Sequence, residues 1–226
     1  MISVPRLSPA PEPTYRLVPA RYPQVPAFEK VATAADLGVV MAVEGWTNDA
    51  TVKARVARLP TVNWAFGRAH ADVLMASFFF VSIGGMRFNN ADLGGWYAFA
   101  KIETAAVEVG HHLLREAINR SHVAMTIDYR SYTASIQGQY ADIRGEQAIR
   151  PDIYDAASYS HSQIFGEAIR NSGSDGILFS SVRHPGGENV VAYRPNLVAD
   201  ITLGPTYQIT ATVSPRHIQV KTLLGP

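Results

Sequence analysis

The chain is predicted to fold as a single α+β domain. Three observations predict this. Its 226 residues suit one domain. Helical and strand-like stretches are interspersed without a regular βαβ rhythm. The composition, 47% hydrophobic and 17% charged, is that of an ordinary globular protein with a lightly charged surface.

Residues 1–26 hold Pro5, Pro9, Pro11, Pro13, Pro19, Pro23 and Pro26, half of the 14 prolines. Proline fixes φ and lacks an N–H, so this extension reads as extended or wrapping chain, with at most a short edge strand at 15–18. The domain proper is then 27–226. Residues 33–59 read as helical, with Asn48–Asp49 as a break and candidate cap. Residues 69–80 are apolar on most sides and suit a buried helix. Gly84–Gly95, with four glycines in twelve residues, is a loop. Residues 96–100 suit a buried strand, 102–118 a helix and 123–128 a strand. Residues 133–158 look polar and irregular. A helix at 160–171 is closed by Gly173 as a left-handed cap. Two glycine turns lead into strands at 177–179 and 189–193. Residues 207–213 and 217–223 suggest a terminal hairpin.

The net charge of +1 supplies no overall field toward nucleic acid or an anionic membrane. Lys53, Arg55, Arg58 and Arg68 read as a solvated face. Zero cysteines exclude disulfides, zinc–thiolate sites and a cysteine nucleophile. The first residues lack the continuous apolar core of a signal peptide, and FFFVSI is too short to span a bilayer. The expectation is a soluble cytoplasmic protein that binds neither nucleic acid nor membrane directly.

The segment from Gly84 to His112 carries the chemistry. Arg87 sits in the glycine-rich turn, Tyr97 in the next apolar run and Glu108 within the following helix. Arginine, tyrosine and glutamate from loop, strand and helix suit an anionic, aromatic substrate that develops charge, such as a nucleotide. On a helical wheel, Ile102, Ala106, Val109 and Leu113 form one apolar side, and Val107, Leu114 and Ile118 a neighbouring arc. Thr104, Glu108, His112 and Arg115 share the narrow remaining stripe. A carboxylate there needs a partner or a cleft. The simplest partner is His112, four residues on. A metal held by Glu108, His111 and His112 is disfavoured, because adjacent helical residues point about 100° apart.

A second segment, GSDGILFSSVRHPGGENVVAYRP, places Ser180 and Ser181 at a strand end. Ser181 is either a turn-forming hydroxyl or part of a cleft wall. No nucleophile elbow and no phosphate loop of the usual kind is present.

Together, the GGxRF-type turn, the strand tyrosine, ETAxxE followed by histidine, and GSDGILFxSVRxPGG-N resemble the RES domain, named for its arginine, glutamate and serine. The likeness covers roughly 68–195, and Tyr15–Pro19 resembles the family's opening strand. It implies a fold like that of ADP-ribosyltransferase toxins, in a toxin of a bacterial toxin–antitoxin pair. It implies NAD as the substrate, cleaved at its nicotinamide–ribose bond without a metal. The acceptor of ADP-ribose is a target protein, or alternatively water or phosphate. An inactive antitoxin-binding module is disfavoured by the intact site. A DNA-binding antitoxin that blocks the active site is the implied partner. By position, the catalytic set falls on Arg87, Tyr97, Glu108 and Ser181. Thr104, His112, Tyr15, Arg16, Arg183 and Asn189 stand as NAD-binding or supporting residues. Ser180 stands where many members carry proline, so the family serine is Ser181 or Ser180; Ser181 is favoured because it directly precedes Val–Arg.

Overall fold

A computed structural model describes residues 5–22, 26–46 and 49–223. The strands are β1 (Arg6–Ser8), β2 (Thr14–Pro19), β3 (Trp96–Phe99), β4 (Ala124–Ile136), β5 (Tyr140–Asp142), β6 (Gly176–Ser180), β7 (Glu188–Ala192), β8 (Val198–Thr212) and β9 (His217–Leu223). The helices are α1 (Ala34–Val43), α2 (Ala50–Arg58), α3 (Ala71–Phe79), α4 (Ile102–Asn119) and α5 (Ser160–Asn171). The nine strands join in one sheet, in the order β1-β5-β6-β7-β3-β2-β4-β8-β9. Among the described residues, only β5 and β6 pair in parallel.

Alternation along the strands builds three layers. Trp96, Ala98, Val190 and Ala192 face one way and pack with Leu37, Met41, Leu74 and Phe78 of α1 and α3. Phe179 and Val191 face the other way, toward Phe165 of α5. On that second side Ala105 and Leu113 of α4 pack over Leu17, Ile209 and Ala211. The site develops on this side, between α4 and α5.

Local chemistry sets the helix starts. Thr33 caps α1 by accepting from the Asp36 N–H at 3.2 Å, and Asp49 caps α2 by accepting from Thr51 at 2.6 Å. Asn48, the other half of the expected break, lies outside the described residues.

Four expectations need correction. β2 is not at an edge. It lies inside the sheet, paired with both β3 and β4. Pro9, Pro11 and Pro13 fall between β1 and β2, and Pro19 is the last β2 residue, so the strand interior keeps its donors. Residues 133–158 are not wholly irregular: β4 runs on to Ile136, and β5 follows at 140–142. Polar residues hid this continuation, yet they are satisfied there; Ser131 donates to the Pro205 carbonyl at 2.6 Å. Ile118, assigned to the apolar arc of α4, is 42% exposed in the helix's last turn. The basic stretch is not a solvated face throughout. Arg55 is buried, donating from Nε to Ala91 O at 2.9 Å and from Nη1 to Phe79 O at 2.7 Å.

Candidate active site

β2 and β3 share a single paired position, Tyr15 opposite Phe99, and then part. The Arg16 side chain fills the opening. Its Nη1 donates to the Tyr97 carbonyl at 2.7 Å, and its guanidinium lies 4.6 Å from the centre of the Trp96 ring. Burial pushes the Arg16 pKa down to about 10, opposed by Tyr97, so the side chain stays cationic at neutral pH. A cavity of about 210 Å³ opens here, with Arg16, Arg87, Tyr97, Glu108, His112 and Asn189 in its walls.

The glycine-rich loop delivers Arg87. Gly85 has φ of 68°, and a Cβ at Gly94 would stand 2.2 Å from Ser77 O, so the loop folds tightly against α3 only with glycine there. Side chains from distant elements hold its backbone. Gln163 donates to Gly84 O and Met86 O, Arg170 to Leu93 O and Gly94 O, and Glu167 accepts from Asn90 N. Tyr97 adds an internal tie: its hydroxyl donates to Asn89 Oδ1 at 2.8 Å and accepts from Phe88 N at 3.0 Å. Burial holds that hydroxyl well above the usual tyrosine range, so it is neutral. Arg87 itself is 8% exposed. Its Nη1 donates to Ile153 O at 3.1 Å and Asp155 O at 2.9 Å, and its guanidinium lies 4.7 Å from the Tyr159 ring centre. Burial lowers its pKa, while Tyr159 and Glu108 oppose the shift.

Glu108 lines the cavity and meets Ser181, which is not itself a lining residue. Ser181 Oγ donates to Glu108 Oε1 at 2.6 Å and accepts the N–H groups of Arg183 at 3.1 Å and His184 at 2.9 Å. Asn189 Nδ2 lies 3.4 Å from the same Oε1. Both donors therefore serve Oε1, and Oε2 has no hydrogen-bond partner among the described residues. The neighbouring Ser180 Oγ turns elsewhere, accepting from Gly145 N at 3.0 Å. Of the two serines, it is Ser181 that reaches the glutamate.

The anticipated Glu108–His112 pair is not formed; the carboxylate takes its bonds from Ser181 and Asn189 instead. His112 lies in the cavity wall, and its pKa is pushed down to about 4 by burial, then by Arg115, Arg183 and Arg87. A neutral ring cannot act as a cationic partner for Glu108.

The other sequence candidates are placed as follows. Thr104 is buried behind the cavity, its Oγ1 3.0 Å from His184 Nδ1, where it steadies the turn after Ser181. Arg183 contributes its backbone N–H to Ser181 and its guanidinium to Ala156 O. Neither residue lines the cavity, and neither does Tyr15. Sequence reading missed Tyr159, which lines the cavity and backs Arg87. No local pattern marks it, since it precedes α5 and meets Arg87 only through the fold. It also missed His184, although the SVRHPGG turn contained it.

Among the described residues, Glu29, His70 and Asp72 form the group whose ligand atoms, within 4.8 Å of one another, have metal-binding spacing. None of the three lines the cavity. Glu108, His111 and His112 form no such group. No described helix is long and apolar enough to cross a membrane.

An α+β protein with an arginine-lined cleft centred on one doubly bonded carboxylate is the class that fold and site define. The RES domain model matches residues 55–212, more than half of the chain, and the chain belongs to that family. Comparison with curated proteins gave no match. Among solved structures, a chain in the crystal structure of the M. tuberculosis MbcT–MbcA toxin–antitoxin complex is similar. The alignment covers 92% of this chain and 88% of that one, at 14% identity and a TM-score of 0.47.

Proposed function

We propose that this protein is a cytoplasmic RES toxin that cleaves the nicotinamide–ribose bond of NAD and transfers ADP-ribose to a target protein. The observation that carries the reading is Glu108. Its carboxylate is fixed through one oxygen by Ser181 and Asn189 and has its second oxygen unpartnered in a cleft wall.

The cavity, about 210 Å³, is smaller than the roughly 300–1,000 Å³ pockets that hold drug-sized ligands. It suits one end of a dinucleotide, with the rest over the rim. Tyr97 offers its ring to the nicotinamide. Arg87 keeps Nε and Nη2 for the pyrophosphate, since Nη1 is committed to two carbonyls. As the C1′–N bond breaks, its electron pair moves to the pyridine nitrogen, and neutral nicotinamide leaves. Positive charge grows on C1′ and the ring oxygen. Glu108 accepts a ribose hydroxyl and stabilises that charge. At about 4 Å and an effective dielectric near 20, one such charge pair is worth roughly 4 kcal/mol, on the order of a thousandfold in rate. An acceptor oxygen then bonds to C1′ and loses its proton. No metal takes part in these steps.

Support for a protein acceptor comes from the cleft rim. Phe80, which lines the cavity, is 56% exposed, and Ile83 three residues on is 98% exposed. Exposed apolar side chains beside a cleft favour a protein seated there, whether target or DNA-binding antitoxin. Labelled NAD added to lysate with the toxin tests the acceptor. A labelled protein band is expected. Release of free ADP-ribose alone favours a glycohydrolase, and its 1″-phosphate a phosphorylase.

A further inference from the structure

Buried polar atoms are almost always hydrogen-bonded, so an unpaired one in a cleft wall marks what the cleft is shaped to receive. Asn189 is 2% exposed, lines the cavity and has Oδ1 without a partner. Its orientation is fixed electrostatically. Nδ2 faces the Glu108 carboxylate at 3.4 Å, and the flipped amide would set one acceptor against another. The pairing of Asn189 with Phe99 on one side and Phe179 on the other holds its backbone inside the sheet. The cleft therefore presents two neighbouring acceptors, Glu108 Oε2 and Asn189 Oδ1, and both lack protein donors. The pyrophosphate of a dinucleotide carries no donors at neutral pH and cannot satisfy them. A sugar with two adjacent hydroxyls can.

We propose that Asn189 is a specificity residue that accepts the 3′-hydroxyl of the nicotinamide ribose while Glu108 accepts the 2′-hydroxyl. This rests on the NAD-cleaving reading and adds to it: the two acceptors read the vicinal diol and set the face of C1′ turned toward Glu108. A site built around a substrate hydroxyl rejects the analogue that lacks it, because its own acceptor is then left buried and unpaired.

The test compares nicotinamide release from NAD and from NAD lacking the 3′-hydroxyl on its nicotinamide ribose. Wild-type protein is expected to lose at least about tenfold in kcat/KM on the deoxy substrate. Asn189→Leu, close in shape, also removes the Nδ2 donor to Glu108, so it is expected to slow both substrates, and to slow NAD at least about tenfold more than the deoxy substrate. Equal wild-type rates on both substrates overturn the inference without any mutation, and so does an equal loss by Asn189→Leu on both. If wild-type protein releases no nicotinamide from NAD, the NAD reading fails and takes this inference with it. The melting temperature gives a separate readout. Asn189→Leu removes a buried unpaired acceptor together with one long bond to Glu108, two effects of opposite sign, and is expected to leave it nearly unchanged. A melting temperature lowered in step with activity on both substrates assigns Asn189 a structural role instead.

Discussion

Two glycine turns set up Glu108's surroundings, one lining the cavity and one reaching the carboxylate through Ser181, and they are held in different ways. The loop at 84–95 is scaffolded from outside: Gln163, Glu167 and Arg170 of α5 and Arg55 of α2 all bond its backbone. The turn at 181–187 is held mainly from within, with Thr104 of α4 set against His184. Ser181 N donates to Gly187 O, Gly187 N to His184 O, and Ser181 Oγ accepts two further N–H groups. The first arrangement positions Arg87 through residues far away in sequence. The second makes one side chain, Ser181, both the staple of the turn and the donor to Glu108. Damage to the loop should therefore come from a distance, and damage to the turn from Ser181 itself.

The largest expected effect breaks the external scaffold. Arg170 is buried, donates to Leu93 O at 3.2 Å and Gly94 O at 2.7 Å, and lies 4.1 Å from the Tyr193 ring centre. Arg170→Ala leaves both carbonyls unpaired and is expected to cost about 3 kcal/mol in urea unfolding. Activity should fall with it, although Arg170 does not line the cavity. Intact stability in this variant would mean the loop supports itself.

Acid strains the space between the two regions. His112 lies near Arg87 of the loop and Arg183 of the turn, and these help hold its pKa near 4. Its pKa in the unfolded chain is about 6.5. The unfolded state thus binds more protons between these values, so stability is lost as pH falls from about 6.5 to 4. The loss from this one group reaches at most ~3 kcal/mol. Urea unfolding at pH 7 and pH 4.5 should show a smaller drop for His112→Asn than for wild type. Equal drops would place the acid sensitivity elsewhere.

The internal staple sharpens the contrast. Ser181→Ala strips an acceptor from two N–H groups and a donor from Glu108, and is expected to cost about 2 kcal/mol. Nicotinamide release should fall roughly a hundredfold, well beyond what the stability change alone produces. Ser180→Ala should leave release nearly unchanged, since Ser180 bonds Gly145 and not Glu108.

What sequence could show divides along the same line. The strands at 96–99, 176–180 and 188–192 were legible because short apolar runs sit between glycine turns. Glu108 stood out because a carboxylate on a mostly apolar helix requires a reason, and the reason is a cleft. The contact of Glu108 with Ser181 spans 73 positions; family likeness put the two in one catalytic set, and only the fold shows the bond between them. The external scaffold was not legible. Arg55 read as one of a run of solvated cations, yet it is buried against carbonyls at positions 79 and 91. Nothing near Arg55 or Arg170 in sequence encodes those partners. β2 was hidden by its prolines, which mark the ends of the strand and not its place in the sheet.

The central claim is that Glu108 drives departure of nicotinamide from NAD. The direct measurement is nicotinamide release by wild type and Glu108→Gln, with melting temperatures recorded for both. Glutamine keeps an oxygen to accept from Ser181 and removes the charge. The account predicts an unchanged melting temperature and release slower by roughly a thousandfold. Equal release from the two proteins would contradict it.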